Sequence, residues 1–173
     1  GIYLSYANRS ELTNNLIFGN RQGVYLASSH HNVISDNNLS NNEYGISAGG
    51  SDYLTIINNT ANSNSMSGIL VAGSDGSQII NNTASFNRDF GIIVGWLSNY
   101  TQISNNTANS NAGGIVVAAF SHNNTVTNNT ASLNSVGIGV VWYYPSGNIL
   151  VDNNDSNNEV GILLLETADN KLK

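Results

Sequence analysis

The sequence has no cysteine, one proline and one methionine, and charged residues make up only 9% of it. Without cysteine there is no disulfide framework, no thiolate metal site and no cysteine nucleophile, and the redox compartment stays open. Five Lys and Arg residues against eleven Asp and Glu give a formal net charge of −6. This scarcity of cations argues against binding to nucleic acid or to an anionic membrane, because both need clustered positive charge. No apolar run approaches the roughly 20 residues of a membrane-spanning helix.

A glycine followed by Ile or Val opens a short apolar segment that recurs along the whole chain. The glycines are Gly1, Gly23, Gly45, Gly68, Gly91, Gly114, Gly137 and Gly161. Subtracting successive positions gives spacings of 22, 22, 23, 23, 23, 23 and 24 residues. Repetition at a fixed period is typical of solenoid proteins, in which each repeat stacks on the one before it.

Two series of asparagines keep the same period. The first series is Asn15, Asn37, Asn59, Asn82, Asn106, Asn129 and Asn153, and the second is Asn20, Asn42, Asn64, Asn87, Asn111, Asn134 and Asn158. Asparagine tolerates left-handed backbone geometry, bonds to local backbone and, when stacked, bonds to the next asparagine. We therefore expect two structural asparagine ladders, located at bends between strands.

Between these markers the apolar residues alternate with period two, the pattern of a β-strand with one buried face. Ile69 and Val71 follow a glycine in this way, Ile79 precedes the first asparagine series, and Ala84 follows it. The sequence predicts an all-β fold, namely a single-stranded, right-handed parallel β-helix (solenoid) with three short strands in each coil of 22–24 residues. About 7.5 coils would form a rod roughly 36 Å long.

Two segments carry a family resemblance. They are residues 101–107, TQISNNT, and residues 87–92, NRDFGI. They resemble the repeats of NosD-type copper proteins and the related carbohydrate-binding and sugar-hydrolase repeats of right-handed, pectate-lyase-like β-helices. The resemblance implies the fold over essentially the whole chain but not the function, because the family spans lyases, hydrolases, epimerases, envelope proteins and surface-layer proteins. Asn-rich copies of this regularity look most like archaeal surface-layer proteins.

Candidate catalytic residues are few. Polysaccharide-modifying proteins of this fold need acids and bases close together on one outer face, and glycoside hydrolysis needs two carboxyl groups roughly 5–10 Å apart. Asp52 and Asp75 lie in loops of successive coils, and Asp152 lies near Asp155, which falls in an inward column. Because no set combines acid, base and cation, we predict that the chain is not an enzyme and has no catalytic residue.

The three histidines do not form a metal site. His30 and His122 share a column, but they lie four coils or about 19 Å apart. His30 and His31 are adjacent, and no third ligand stands beside this pair. We do not expect the copper binding of the resembled family in this chain, because the sequence has no cluster of Cys, Met and His. We predict no metal and no cofactor.

The second residue after each glycine should point to solvent, yet this position is mostly apolar. The resulting stripe contains Tyr3, Tyr25, Leu70, Ile93, Val116 and Leu163. Burying apolar surface releases about 25 cal/mol per Å², and a monomer rarely leaves such a patch open. Two explanations stay open: a loop or a segment outside this sequence covers the stripe, or the stripe packs laterally against another copy or chain.

Two further surface features suggest modification or ligand binding. Of the Asn-x-Ser/Thr sites, Asn8, Asn99 and Asn123 lie in the variable loop after the Gly-Ile strand, where we expect any N-glycosylation. Threonines and neighbouring Ser or Asn residues form outward ranks in four coils, which is compatible with an ice-binding solenoid.

We predict one parallel β-helix domain over residues 1–173, as a segment of a larger or polymerising protein. The leading hypothesis for its function is a structural cell-surface or extracellular solenoid that assembles with itself laterally or end to end. The alternative is a carbohydrate-binding or polysaccharide-modifying domain, with an ice-binding solenoid as a minor alternative. The predicted partners are further copies of the chain and glycans, without nucleic acid and without a membrane span.

Overall fold

The chain folds into a continuous stack of parallel β-coils. The computed structural model describes all 173 residues, and its strand pairings are parallel throughout. The predicted all-β parallel solenoid is therefore confirmed. All the elements are strands, and the chain contains no helix that could span a membrane.

The strands are short and follow one another at regular intervals. In chain order they are β1 (Ile2–Ser5), β2 (Glu11–Thr13), β3 (Gln22–Ala27), β4 (Val33–Ser35), β5 (Tyr44–Gly49), β6 (Thr55–Ile57), β7 (Ile69–Ala72), β8 (Gln78–Ile80), β9 (Phe90–Gly95), β10 (Gln102–Ser104), β11 (Gly113–Ala118), β12 (Thr125–Thr127), β13 (Thr130–Ser132), β14 (Val136–Val141), β15 (Ile149–Val151), β16 (Asn154–Ser156), β17 (Val160–Leu165) and β18 (Lys171–Leu172). We number the coils 1 to 8 by their opening glycines, so that coil 1 opens at Gly1 and coil 8 at Gly161.

Two long sheets form the walls of the solenoid. The first sheet has the order β1-β3-β5-β7-β9-β11-β14-β17, and the second has the order β2-β4-β6-β8-β10-β12-β15-β18. Each coil therefore contributes one strand to each sheet. Equivalent residues of successive coils pair directly, so that Ile69 pairs with Ile92 and Ile92 with Ile115.

A third wall connects the second sheet of each coil to the first sheet of the next, and its strands are shorter than the sequence predicts. Instead of a full strand in every coil, it consists mostly of single-residue bridges, such as those between Thr60 and Thr83 and between Thr83 and Thr107. Only β13 and β16 lengthen into a two-stranded sheet. The reason is that this wall lies between two closely spaced bends, which leaves few extended residues between them.

The core consists of columns of identical or similar side chains. Ile56, Ile79 and Ile103 stack in the second sheet and are fully buried. A column of alanines fills the narrow third wall, and its members Ala61, Ala84, Ala108 and Ala131 are also fully buried. Small side chains are required there because the wall bends sharply and approaches the opposite sheet.

The repeated glycine is explained by close packing and not by a left-handed backbone. None of the glycines that open the coils has a positive φ. A Cβ at Gly91 would lie 2.6 Å from the carbonyl oxygen of Ala84 and 2.7 Å from that of Gly114. Any larger residue would therefore push neighbouring coils apart.

The asparagine ladders occupy the bends on either side of the third wall. In the first ladder, Oδ1 of Asn82 accepts two hydrogen bonds from Asn59, one from the backbone N–H at 2.9 Å and one from the side-chain Nδ2 at 3.0 Å. Nδ2 of Asn82 donates to Oδ1 of Asn106 and to the carbonyl of Ile56. The left-handed residue is the one before each ladder position, as with Asn81 at φ 56°.

Candidate functional site

The turn that follows the first sheet carries the most varied side chains of the molecule. Its innermost column is a serine ladder of five fully buried members, Ser29, Ser51, Ser74, Ser98 and Ser121. Each serine hydroxyl accepts a hydrogen bond from the backbone of the preceding coil, as Ser74 Oγ does from the Ser51 N–H at 2.9 Å. The buried N–H groups of this turn are thereby satisfied, which fixes the positions of the residues beside them.

The next column lies at the surface and is chemically mixed. Its members from coil 1 to coil 7 are Asn8, His30, Asp52, Asp75, Asn99, His122 and Ser146. Each of the first six side chains accepts a hydrogen bond from the backbone N–H of the next member, at distances between 2.6 and 3.1 Å. We call this column the mixed ladder. It places one histidine and two carboxylates in adjacent coils.

His30 and Asp52 form a pair within the mixed ladder. Nδ1 of His30 accepts the N–H of Asp52 at 3.0 Å and lies 3.3 Å from Oδ2 of the same residue. The two side chains are 38% and 37% exposed. Solvent or a ligand therefore has access to the rest of the imidazole ring.

This pair has the geometry of a proton-transfer group. The N–H and the carboxylate of Asp52 compete for Nδ1, because a nitrogen that accepts a hydrogen bond through its lone pair carries no proton. In the tautomer with the proton on Nδ1, this group donates to the Asp52 carboxylate in place of accepting from the Asp52 backbone, and Nε2 has the free lone pair of a base. The imidazolium that forms is then stabilised by the carboxylate beside it. Asp75 extends the arrangement, because its N–H donates to Oδ1 of Asp52 at 2.8 Å and holds that carboxylate in place.

A second exposed column runs beside the mixed ladder. His31 and Tyr53 stack in it with ring centroids 4.9 Å apart and planes 9° from parallel. The ring of Tyr53 lies over Gly76, where an added Cβ would come within 2.7 Å of it. Arg9 precedes His31 in this column, about one coil or 4.8 Å away. Arg9 is exposed and forms no ion pair, so its guanidinium is free to bind an anion.

Every member of the mixed ladder stands seven residues before an asparagine of the first series, since 37 − 30, 59 − 52, 82 − 75 and 129 − 122 all equal 7. In the sequence prediction, His30 and His122 share one column and Asp52 and Asp75 lie in successive coils, but the four residues are not recognised as members of one column. His30, Asp52 and Asp75 each stand seven residues after the glycine of their coil, since 30 − 23, 52 − 45 and 75 − 68 all equal 7. The count changes in coils 5 and 6, because Asn99 and His122 stand eight residues after their glycines. Counting from the glycines therefore finds only part of the column.

The predicted assembly stripe is exposed only in part. Tyr3 is 66% exposed, whereas Ile93 and Val116 are 2% and 3% exposed. The rings of Phe90 and Trp142, which meet edge to face at 6.1 Å, contribute to this cover. The other members, Tyr25, Leu70 and Leu163, are half-buried. The middle of the stripe is therefore covered by side chains of the same chain, and packing of the stripe against another copy or chain stays a prediction.

The predicted glycosylation sites differ in how free their side chains are. Asn8 and Asn99 belong to the mixed ladder, and Nδ2 of Asn99 also donates to Oδ1 of Asp75 at 3.1 Å. Asn123 is exposed at a left-handed position, with φ 56°. Glycosylation at these three positions stays a prediction.

Asp155 is the one carboxylate in the core columns. It pairs with Ala131 in the column of alanines, and its Oδ2 is buried without a hydrogen-bond partner. Burial raises the pKa of this carboxyl above its ordinary value, and hydrogen bonds from the Ile138 backbone and the Asn158 side chain offset part of that effect. Asp155 lies away from the mixed ladder and takes no part in the candidate site.

A family model matches the chain along its full length. The model is that of the periplasmic copper-binding protein NosD, and it matches residues 1–130 and 84–173. The predicted resemblance is therefore confirmed. No curated protein sequence matches the chain.

Several solved structures share the fold. A double mutant of the periplasmic alginate epimerase AlgG superposes with a TM-score of 0.86 at 21% identity, covering 99% of this chain and 47% of that one. The A-module of the mannuronan C-5 epimerase AlgE6 from Azotobacter vinelandii gives 0.72 at 19% identity, covering 91% and 54%. The chain thus spans about half the length of these structures, and at such identities the likeness shows a shared fold.

The residues present do not fit the copper of the family description. Protein sites for copper use His, Cys and Met ligands, and no three His, Cys, Asp or Glu side chains are grouped so as to hold a metal ion. His31 is stacked on Tyr53, and Nδ1 of His30 is bonded to Asp52. His122 lies four coils from His30, about 19 Å away. No step of the chemistry below is assigned to copper.

The prediction that the chain is not an enzyme is wrong. The comparisons overturn it, because the solved structures that share the fold over nearly the whole chain include two kinds of epimerase, which are enzymes. The physical reason for the error is that carboxylates were compared with carboxylates and histidines with histidines, and His30 was not placed in the column of Asp52 and Asp75. In this fold, groups 22 or 23 residues apart become neighbours.

Proposed function

Because the chain belongs to the NosD family of parallel β-helix proteins, we propose that it is a polysaccharide-modifying domain whose active site is the mixed ladder around His30 and Asp52. The observation that carries the proposal is the exposed His30–Asp52 pair, with Nδ1 and Oδ2 3.3 Å apart. The pair is flanked by the free cation Arg9 and by the stacked rings of His31 and Tyr53. Base, carboxylate, cation and aromatic surface thus lie on one outer edge of the solenoid.

The comparisons support the carbohydrate class more than the self-assembling surface protein that the sequence placed first. The epimerases of the same fold act, by name, on alginate and mannuronan. Nothing in the structure supports assembly, and the core of the apolar stripe is covered within the chain. The family is described as periplasmic, so we place the activity on the outer side of the cytoplasmic membrane.

The reaction class that suits this geometry is proton transfer at a sugar carbon next to a carboxylate. Nε2 of His30 removes the proton, and the electron pair left on the carbon is delocalised into the sugar carboxylate. Arg9 pairs with that carboxylate and stabilises the charge that develops on it. Return of a proton from water on the other face inverts the carbon, and the imidazolium of His30 then gives its proton to water. In the alternative outcome the linked sugar oxygen departs, takes up a proton from water or from the imidazolium, and the chain is cleaved.

Asp52 and Asp75 orient the base and do not touch the substrate carbon. Asp52 stabilises the imidazolium of His30, and Asp75 holds Asp52 through its backbone N–H. Tyr53 presents its exposed ring beside His31, where a sugar ring can stack on it. The site therefore binds the polymer along the outer turn and acts on it at coils 2 and 3.

The mixed ladder itself supplies the test variants. Asparagine occupies the ladder in coils 1 and 5, as Asn8 and Asn99, so His30→Asn keeps an acceptor for the Asp52 N–H and removes only the imidazole. We expect His30→Asn to lower the turnover of polymannuronate or polygalacturonate by about 10²- to 10⁴-fold, the usual worth of a general base. The measurement is product formation by NMR, with circular dichroism to verify the fold.

His122→Asn is the matched control, because it makes the same exchange four coils away in the same ladder. It should leave turnover unchanged. Equal losses in both variants would assign the two histidines to ladder stability and would refute the active-site role of His30.

A further inference from the structure

Coils 5 to 7 carry bulky residues at left-handed backbone positions in the turn after the first sheet. They are Trp96, Leu97, Ala119, Phe120, Trp142, Tyr143 and Tyr144, with φ between 50° and 68°. In coils 2 to 4 the first position of this turn is held by Ser28, Gly50 and Gly73. The large residues in coils 5 to 7 belong to a lengthened turn, which also shifts the mixed ladder by one residue in coils 5 and 6 and by two residues in coil 7.

Such positions are unfavourable for large side chains. The left-handed region costs roughly 1–2 kcal/mol for a residue other than glycine, and bulky residues there are true outliers. Strained positions persist where the surrounding structure imposes them, and they cluster at functional sites. The side chains at these positions include exposed rings: Trp96 is 53% exposed and Trp142 is 40% exposed.

Trp142 borders a groove on the outer face of the first sheet, and Trp96 lies in the same turn two coils earlier. The groove has a volume of about 160 Å³ and lies between Phe90 and Trp142, with Val116 and Gly139 among the residues that line it. Gly139 creates it, because this position carries Leu70, Ile93 and Val116 in earlier coils. Beside the groove, Phe120 and Tyr143 stack with centroids 5.7 Å apart. We call Phe90, Trp96, Phe120, Trp142 and Tyr143 the aromatic platform.

The charges around the platform disfavour anions. No charged residue lines the groove. Asp89 directly precedes Phe90, and Glu166 occupies in coil 8 the turn position that Trp142 occupies in coil 7. A ligand here must therefore present an apolar face and no negative charge, as a neutral pyranose ring does when its C–H groups stack on an indole.

We propose that the aromatic platform is a binding subsite for uncharged sugar residues of the polysaccharide on which the chain acts. This inference rests on the proposed function, because the platform continues the same turn as the mixed ladder. Coil 6 lies three coils from coil 3, about 14 Å, so one oligosaccharide along the solenoid axis reaches both sites. The substrate is then a heteropolymer, with acidic sugars at His30 and neutral sugars at the platform.

Both tryptophans of the chain belong to the platform, so tryptophan fluorescence, excited apart from that of the tyrosines, reports on it alone. Cellohexaose, xylohexaose and mannohexaose serve as neutral probes and hexamannuronate as the anionic probe. We expect at least one neutral probe to shift the tryptophan emission saturably, and hexamannuronate to leave it unchanged. Trp96→Phe and Trp142→Phe, each with a single remaining tryptophan, assign the shift to one ring.

Gly139→Val fills the groove without straining the fold. A Cβ at this position would make only ordinary contacts, the nearest at 3.6 Å, and valine already occupies the column at Val116. We expect Gly139→Val and Trp142→Ala to weaken binding of the neutral probe at least tenfold. Phe86→Ala is the control, because Phe86 is an exposed aromatic with φ 60° on a different turn. It should bind as the unmodified chain does.

The inference is overturned if no neutral probe shifts the emission, if hexamannuronate alone does so, or if Phe86→Ala weakens binding as much as Trp142→Ala. The outcome is separable from that of the proposed function. His30→Asn should lower turnover and leave fluorescence binding intact. If the unmodified chain binds neutral sugar at the platform but shows no turnover, only the proposed active site is refuted.

Discussion

Single asparagine side chains satisfy the hydrogen-bonding groups of the backbone at the bends of this chain. Asn82 is fully enclosed in the first ladder and bonds to Asn59, Asn106 and two carbonyl groups. A bend without such a side chain would leave buried N–H and C=O groups unpaired. The sequence predicted these ladders because identical residues at a fixed period need no structure to be recognised.

Asn82→Ala removes the middle of the ladder. We expect it to lower the free energy of unfolding by roughly 2–4 kcal/mol, because several buried backbone groups lose their partners at once. Chemical denaturation followed by circular dichroism measures the change. Asn81→Gly is the control: Asn81 is exposed with φ 56°, a conformation that glycine also adopts, and its replacement should change stability little. A comparable loss in both variants would contradict the account.

Asp155 makes stability depend on pH. Burial raises the pKa of its carboxyl in the folded chain above the unfolded value, so the folded state holds its proton more tightly. Stability is therefore greatest below the unfolded pKa and falls as the pH rises through the folded pKa.

Asp155→Ala restores the alanine found at Ala131 and in the coils before it. It should raise the melting temperature at pH 7 by roughly 2–4 °C, corresponding to about 1 kcal/mol from removal of a buried, unpaired oxygen. The gain should shrink as the pH is lowered toward the unfolded pKa. Thermal melts at several pH values measure both effects, and a gain that is the same at every pH would contradict the assigned cause.

At the scale of the element, the strands of the two long sheets and the asparagine bends were predictable, whereas the third wall and the turn after the first sheet were not. Apolar alternation marks β7 and β8 directly, because an inward residue in one coil stacks on an identical one in the next. The third wall was predicted as a strand and is mostly a row of bridges. The mixed ladder was missed because its members differ chemically, and a column of unlike residues has no sequence signature unless positions are counted from the correct origin.

The serine ladder fixes the turn that carries the site. Ser74→Ala removes the acceptor of the Ser51 N–H and the donor to the Ala72 carbonyl. We expect a loss of roughly 1–3 kcal/mol in unfolding free energy and faster hydrogen exchange at Ser51. Ser65→Ala, at an exposed serine whose side chain forms no hydrogen bond, should leave both quantities unchanged. Unaltered exchange at Ser51 in Ser74→Ala would show that the ladder does not hold this turn.

At the scale of the whole molecule, the solenoid converts a period of 22 to 24 residues into neighbouring positions on one surface. His30, Asp52 and Asp75 lie far apart in sequence and adjacent in space for this reason. The fold was readable because repetition reveals it, whereas the function depends on the few positions where the repetition is broken. Those breaks are the histidines and carboxylates of the mixed ladder and the aromatic residues of coils 5 to 7.

The central claim is that His30 transfers a proton at a sugar carbon, and its most direct test is deuterium exchange. Polymannuronate and polygalacturonate are incubated with the chain in D₂O, and the ring C–H signals of the polymer are followed by NMR. The account predicts that the unmodified chain and His122→Asn replace the hydrogen next to the carboxylate with deuterium, or cleave the chain there, while His30→Asn does neither. Absence of exchange and cleavage with the unmodified chain, or equal activity in His30→Asn, would contradict it.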